Sequence, residues 1–160
     1  MQDINELTQT LADRLGMENL QFDDEGLCSL LFEDRFTVTL EIDDADNALH
    51  LYSNLGKAPE DVIDQLTCFA ALLDANLFGR GTAGATLGFE PNSQSLMLSR
   101  ALALPTLDAE TAYTELGRFV QAAGVWSERV AASFWQDADA EPPVPDSSFR
   151  PLGNSGFLKV

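Results

Sequence analysis

Phe36-Thr37-Val38-Thr39-Leu40-Glu41-Ile42 alternates large apolar with polar side chains between two turn-forming stretches, Glu33-Asp34 and Asp43-Asp44-Ala45-Asp46-Asn47. A period of two places Phe36, Val38, Leu40 and Ile42 on one face of a strand and Thr37, Thr39 and Glu41 on the other, as in a sheet with one covered and one open face. Upstream, Leu27 to Phe32 is almost continuously apolar, and Leu20 and Phe22 begin a further strand before the turn Asp23-Asp24-Glu25-Gly26. Downstream, residues 48 to 55 put Leu49 and Leu51 on one face and His50 and Tyr52 on the other. Links this short do not allow parallel crossovers, so these strands form an antiparallel meander.

Helical periodicity frames the meander. Ile4, Leu7, Leu11 and Leu15, stopped by Gly16, predict an amphipathic helix over residues 3 to 15. Pro59 at a first helical position, with Glu60 and Asp61 in the first turn, starts a second helix running to about Phe78. Its apolar residues, from Val62 and Ile63 through Leu66, Phe69, Leu72 and Leu73 to Leu77, cover too much of the circumference for one sheet to bury. A second copy of the chain across a two-fold axis is the simplest cover. After Gly79 a glycine-rich link leads to a strand at about 84 to 90, and Pro91-Asn92-Ser93 turns it into a longer strand carrying Leu96, Leu98, Leu102 and Leu104. Pro105 ends that strand, and Thr106 or Asp108 caps a third helix reaching about Asp137. The predicted fold is α+β: an antiparallel twisted sheet of five to six strands with three helices, in the order α-β-β-β(-β)-α-β-β-α, as a homodimer. Residues 1–137 form one domain. Glu141-Pro142-Pro143-Val144-Pro145 blocks regular structure, so residues 138–160 are expected to be a disordered tail.

The 160 residues, 45% of them hydrophobic, suffice for one domain burying roughly 68–70% of its unfolded surface. Nine basic against 26 acidic residues give a net charge of −17. Nucleic acid and anionic membranes are disfavoured as partners, because both are held largely by cationic side chains. Basic partners are favoured. No basic, apolar leader opens the chain, and no apolar run approaches the ~20 residues of a membrane span, so a cytoplasmic location is expected. There Cys28 and Cys68 stay reduced and pack as small hydrophobes.

Catalytic patterns do not assemble. Gly79-Arg80-Gly81-Thr82-Ala83-Gly84 matches G-x-G-x-x-G, but a helix precedes it and a strand follows, the reverse of a dinucleotide site; a flexible loop explains it. Counting a calcium loop from Asp44 puts Ala48 at a ligand position, Leu49 where glycine is required and Leu55 at the twelfth place. His50, the only histidine, has no adjacent nucleophile, and with two cysteines it falls short of a structural zinc set. Trp126 and Trp135 on the third helix suit either packing or a partner contact. Neither a cofactor nor a metal is expected. Protein binding therefore leads, with a small α+β enzyme or a general acidic adaptor as alternatives.

The order of elements, with Leu20-Gln21-Phe22-Asp23-Asp24-Glu25-Gly26-Leu27-Cys28, Phe32-Glu33-Asp34, Val38-Thr39-Leu40-Glu41 and Leu49-His50-Leu51-Tyr52-Ser53-Asn54-Leu55-Gly56, resembles the Tir chaperone (CesT) family of type III secretion over residues 1 to 137. The resemblance implies a bacterial cytoplasmic homodimer that binds the N-terminal region of one or a few effectors in extended form before export, without ATP or metal. By position, the first helix and the meander would carry the effector grooves, with Leu20, Phe22, Leu30, Phe32 and Phe36. The second helix and the strand after Pro91 would carry the dimer contact, with Leu66, Phe69, Leu73, Leu96 and Leu98. The tail after 138 departs from the smaller members.

Overall fold

A computed structural model describes residues 4–18, 20–137 and 157–159. The order is α1 (Ile4–Leu15), β1 (Leu27–Phe32), β2 (Phe36–Asp43), β3 (Ala48–Lys57), α2 (Val62–Asn76), β4 (Thr86–Glu90), β5 (Ser95–Ala103), α3 (Ala109–Ala131) and β6 (Phe157–Lys159). The antiparallel sheet has the strand order β4-β5-β3-β2-β1-β6.

The alternation in β2 is realised as expected: Phe36, Val38 and Leu40 are buried, while Thr37, Thr39 and Glu41 are half-buried on the open face. Ser29 and Thr39 share a hydrogen bond across β1 and β2 on that open face (2.9 Å). On the covered face Leu30, Val38, Leu40, Leu51, Leu96 and Leu98 meet α1 and α3 through Leu11, Leu15, Leu116 and Phe119. α1 is held against α3 by an Arg14–Glu110 ion pair, with the Arg14 guanidinium over the Tyr113 ring. Register shifts in β3 between Asn54 and Gly56. There Gly56 has φ +128, and a Cβ on it would stand 2.9 Å from Val130 Cγ1, so only glycine lets α3 lie this close.

Several boundaries differ from the sequence reading. Leu20 to Phe22 is not a strand; Asp23 Oδ1 accepts the Glu25 and Leu27 amides, closing a turn that enters β1 directly. α2 begins at Val62, because Asp61 accepts the Ile63 and Asp64 amides and is the cap, leaving Pro59 outside the helix. Asp108, not Thr106, caps α3. α3 stops at Ala131, short of Asp137, where Ser133 takes a left-handed conformation (φ 51). The chain then turns Phe134 and Trp135 back: Trp126 meets Phe134 edge-on at 5.8 Å, and Arg129 lies over both the Trp126 and Phe134 rings. Both tryptophans are buried within the chain's own packing.

The glycine-rich link is packed, where a flexible loop was expected. Its amides are consumed internally: Gly81 donates to Ala75, Thr82 and Gly84 to Gly79, and Ala85 to Thr82. Trp126 Nε1 donates to Gly81 O (2.8 Å), Arg100 Nη1 to Ala83 O (2.9 Å), and buried Thr82 Oγ1 to Ala85 O (2.6 Å). Glu115 anchors Arg100 from α3 at 2.5 Å. No amide of these is left to cradle a phosphate. The expected disordered tail falls on residues 138–156 and 160, outside the described residues, and on β6.

Candidate functional site: two apolar surfaces on an acidic domain

α2 buries only one side. Cys68, Leu72 and Ala75 face inward, and Phe69 packs on Phe89 of β4 with ring centroids 5.0 Å apart. Asn76 fastens the end of the helix to the sheet edge, its side chain donating to Leu87 O and accepting from Leu87 N, both at 2.8 Å. The opposite side bears Val62, Ile63, Leu66, Leu73 and Leu77, between 50% and 73% exposed, at the three-to-four-residue spacing of one helix face. Phe78, next in line, is 89% exposed and holds φ +58, a conformation that costs a bulky side chain. By length and composition alone Val62–Gly79 is apolar enough to cross a membrane, although Asp64 and Asp74 interrupt it.

The dimer-contact candidates therefore separate. Leu66 and Leu73 stand open on α2 and Phe69 is half-buried beside them, whereas Leu96 and Leu98 are fully buried under the sheet. The sequence could not separate them, since β5 alternates its apolar residues toward a core that α3 completes.

A second apolar surface is a crevice between α1 and the sheet. Ile4, Thr8, Phe22, Ile42 and Leu104 form its half-buried rim, over a floor that includes Leu20 and Leu40. Of the groove candidates, Leu20 and Phe22 line it. Leu30 is wholly buried, and Phe32 stacks on Phe36 at 5.7 Å inside the core. Ile4, Thr8, Ile42 and Leu104 were not foreseen; the weak edge of the α1 stripe at Ile4 was the available signal. The turn holding Asp23, Asp24 and Glu25 stands at the rim beside Phe22, tied to the sheet by Ile42 N donating to Gly26 O (2.9 Å).

His50 faces the open side at the β2–β3 hairpin, its Nε2 3.8 Å from Asp43 Oδ2, and the ligand-type atoms of Asp43, Asp46 and His50 lie within 4.8 Å of one another. Asp43 Oδ1 already accepts the Ala45 and Asp46 amides, which makes it the organiser of the turn. Both cysteines are buried, and no disulfide joins them. Burial pushes the Cys68 thiol up to about 11, against a smaller opposing pull from Arg129. Burial also raises the Tyr52 phenol, with the Glu41 carboxylate adding to the effect.

The sequence and fold have counterparts among known proteins. The chain is 29% identical over 111 residues to a Tir chaperone of Citrobacter freundii, covering 69% of this chain and 68% of that one. It is 32% identical over 104 residues to a Tir chaperone of Escherichia coli O157:H7, covering 64% and 62%. A chain in the structure of the HopA1–SchA chaperone–effector complex superposes with a TM-score of 0.62 at 25% identity, over 78% of this chain and 93% of that one. The profile of the Tir chaperone protein (CesT) family matches residues 6–127, and with most of its length inside that match the chain belongs to this family.

Proposed function

We propose that this protein is a cytoplasmic, homodimeric type III secretion chaperone that holds the N-terminal region of a secreted effector in extended form, soluble and ready for export. The observation that carries the reading is the uncovered apolar side of α2, where Val62, Ile63, Leu66 and Leu73 stand in solvent with Leu77 and Phe78 just beyond the helix. Residues 1–137 make up the working domain. The two α2 faces pack across the two-fold axis, with Leu66, Phe69 and Leu73 at the contact and Phe78 reaching toward the partner. Leu20 and Phe22, with Ile4, Ile42 and Leu104, receive apolar side chains of the effector, and the acidic turn attracts its basic ones. Membership of a chaperone family, and the likeness to a chain solved within a chaperone–effector complex, support holding over catalysis. Binding of this kind needs neither ATP nor metal.

Sedimentation of the purified protein, with co-purification of secreted proteins from its own cell, tests the reading. The expected result is a dimer that retains an effector through its N-terminal region. A strict monomer that captures none overturns the proposal, and binding to phosphatidylcholine vesicles would reassign the α2 face to a lipid surface.

A further inference from the structure

Residues 27–103 build a five-stranded sheet whose outer strands are β1 and β4, and each outer strand is covered differently. On β4 the Asn76 side chain occupies both the N–H and the C=O of Leu87, as a neighbouring strand would, and α2 lies alongside. On β1 the cover is a strand: Phe157, Leu158 and Lys159 pair antiparallel with Phe32, Leu31 and Leu30.

We infer that β6 is a built-in occupant of the β1 edge, held there until an extended segment of a client protein displaces it. The inference rests on the chaperone reading above and adds to it where the client strand pairs and what it must remove. β1 reads Leu-Cys-Ser-Leu-Leu-Phe, without charge or proline, so its bare edge would template pairing with any extended chain. A cover is needed while no client is bound. β6 meets that need weakly: it has three residues against six in β1, pairs only with Leu30–Phe32, and carries a lysine. Its pairing is intramolecular through residues 138–156, which supplies the high effective concentration that so short a ladder requires. A client strand running along all of Leu27–Phe32 makes a longer ladder and wins the edge. At the β4 edge a client would have to strip a side-chain clasp and move a helix, which leaves β1 as the edge that can open.

The test compares the intact chain with one ending at Gly156. A labelled synthetic peptide of residues 153–160 is titrated against both. The peptide should bind the shortened chain at least about tenfold more tightly, because the intact chain carries the same strand at high local concentration. Peptides from the N-terminal region of a co-purified effector should show the same preference. In the intact chain, hydrogen exchange should find the amide of Leu158, which pairs with Leu31, protected when free and unprotected once the effector peptide is bound, a readout that survives if the shortened chain aggregates. Equal binding of the tail peptide to both chains, or to neither, overturns the inference. So does effector binding that leaves the Leu158 amide protected, an outcome in which the chaperone reading stands. If the tail peptide selects the shortened chain while no effector peptide binds either form, the chaperone reading falls and displacement falls with it.

Discussion

Trp126 shows how a single side chain holds distant parts of the chain together. It is fully buried, donates to Gly81 O in the glycine-rich link, meets Phe134 edge-on and lies under the Arg129 guanidinium. Trp126→Phe removes the donor and part of the buried ring, and should cost roughly 2–4 kcal/mol in urea unfolding through the orphaned carbonyl and the space left behind. Cys68 offers a second residue-scale test. Its thiol titrates at about 11 in the folded protein against an ordinary value of 9.0, so the protonated form is the one the fold favours. The stability linked to this group is complete below pH 9 and is lost as pH rises from there toward 11. At pH 8, labelling of Cys68 and of buried Cys28 by a disulfide reagent should be slow and limited by unfolding, with both thiols reacting at once in denaturant. Rapid labelling of Cys68 in the native protein would contradict its placement.

α2 is the element on which the quaternary proposal turns, and its residues divide sharply. Cys68, Leu72 and Ala75 belong to the fold; Leu66 and Leu73 do not. The paired substitution Leu66→Asp and Leu73→Asp should leave the unfolding free energy of the single chain within about 0.5 kcal/mol, since both side chains already stand in solvent. The same pair should convert a dimer to a monomer in sedimentation velocity, because burying two carboxylates in an apolar contact is prohibitive. Asp61 and Asn76 explain why the helix is held at both ends although half of it is bare: one caps its N-terminus, the other clasps β4. The apolar breadth of this helix was legible from residue spacing, and the structure leaves one side of it exposed. Which leucines belonged to that surface was not, because Leu66 and Leu72 are chemically alike and only the position of β4 and of Phe134–Gln136 decides which side is covered.

At the scale of the whole molecule the governing quantity is the charge of −17 on 160 residues. The acids crowd turns such as Asp23–Glu25 and Asp43–Asp46, at the ends of β1, β2 and β3. Association with a basic effector segment should therefore slow with added salt, by about tenfold in on-rate between 0.02 and 0.5 M, with a much smaller change in the off-rate, as stopped-flow mixing would resolve. By itself the sequence determined the class of the fold, the meander with its covered and open faces, the positions of three helices and the surplus of apolar residues, because periodicity and turn chemistry act over a few neighbours. Its family resemblance was legible in the order of those same local patterns. Only the tertiary structure decided that Leu96 and Leu98 lie inside while Leu66 and Leu73 lie outside, that the glycine link is clasped by Trp126 and Arg100, and that the chain's last strand closes the edge of its first. Those outcomes depend on contacts between residues tens of positions apart, and a local pattern carries no information about what will stand opposite it.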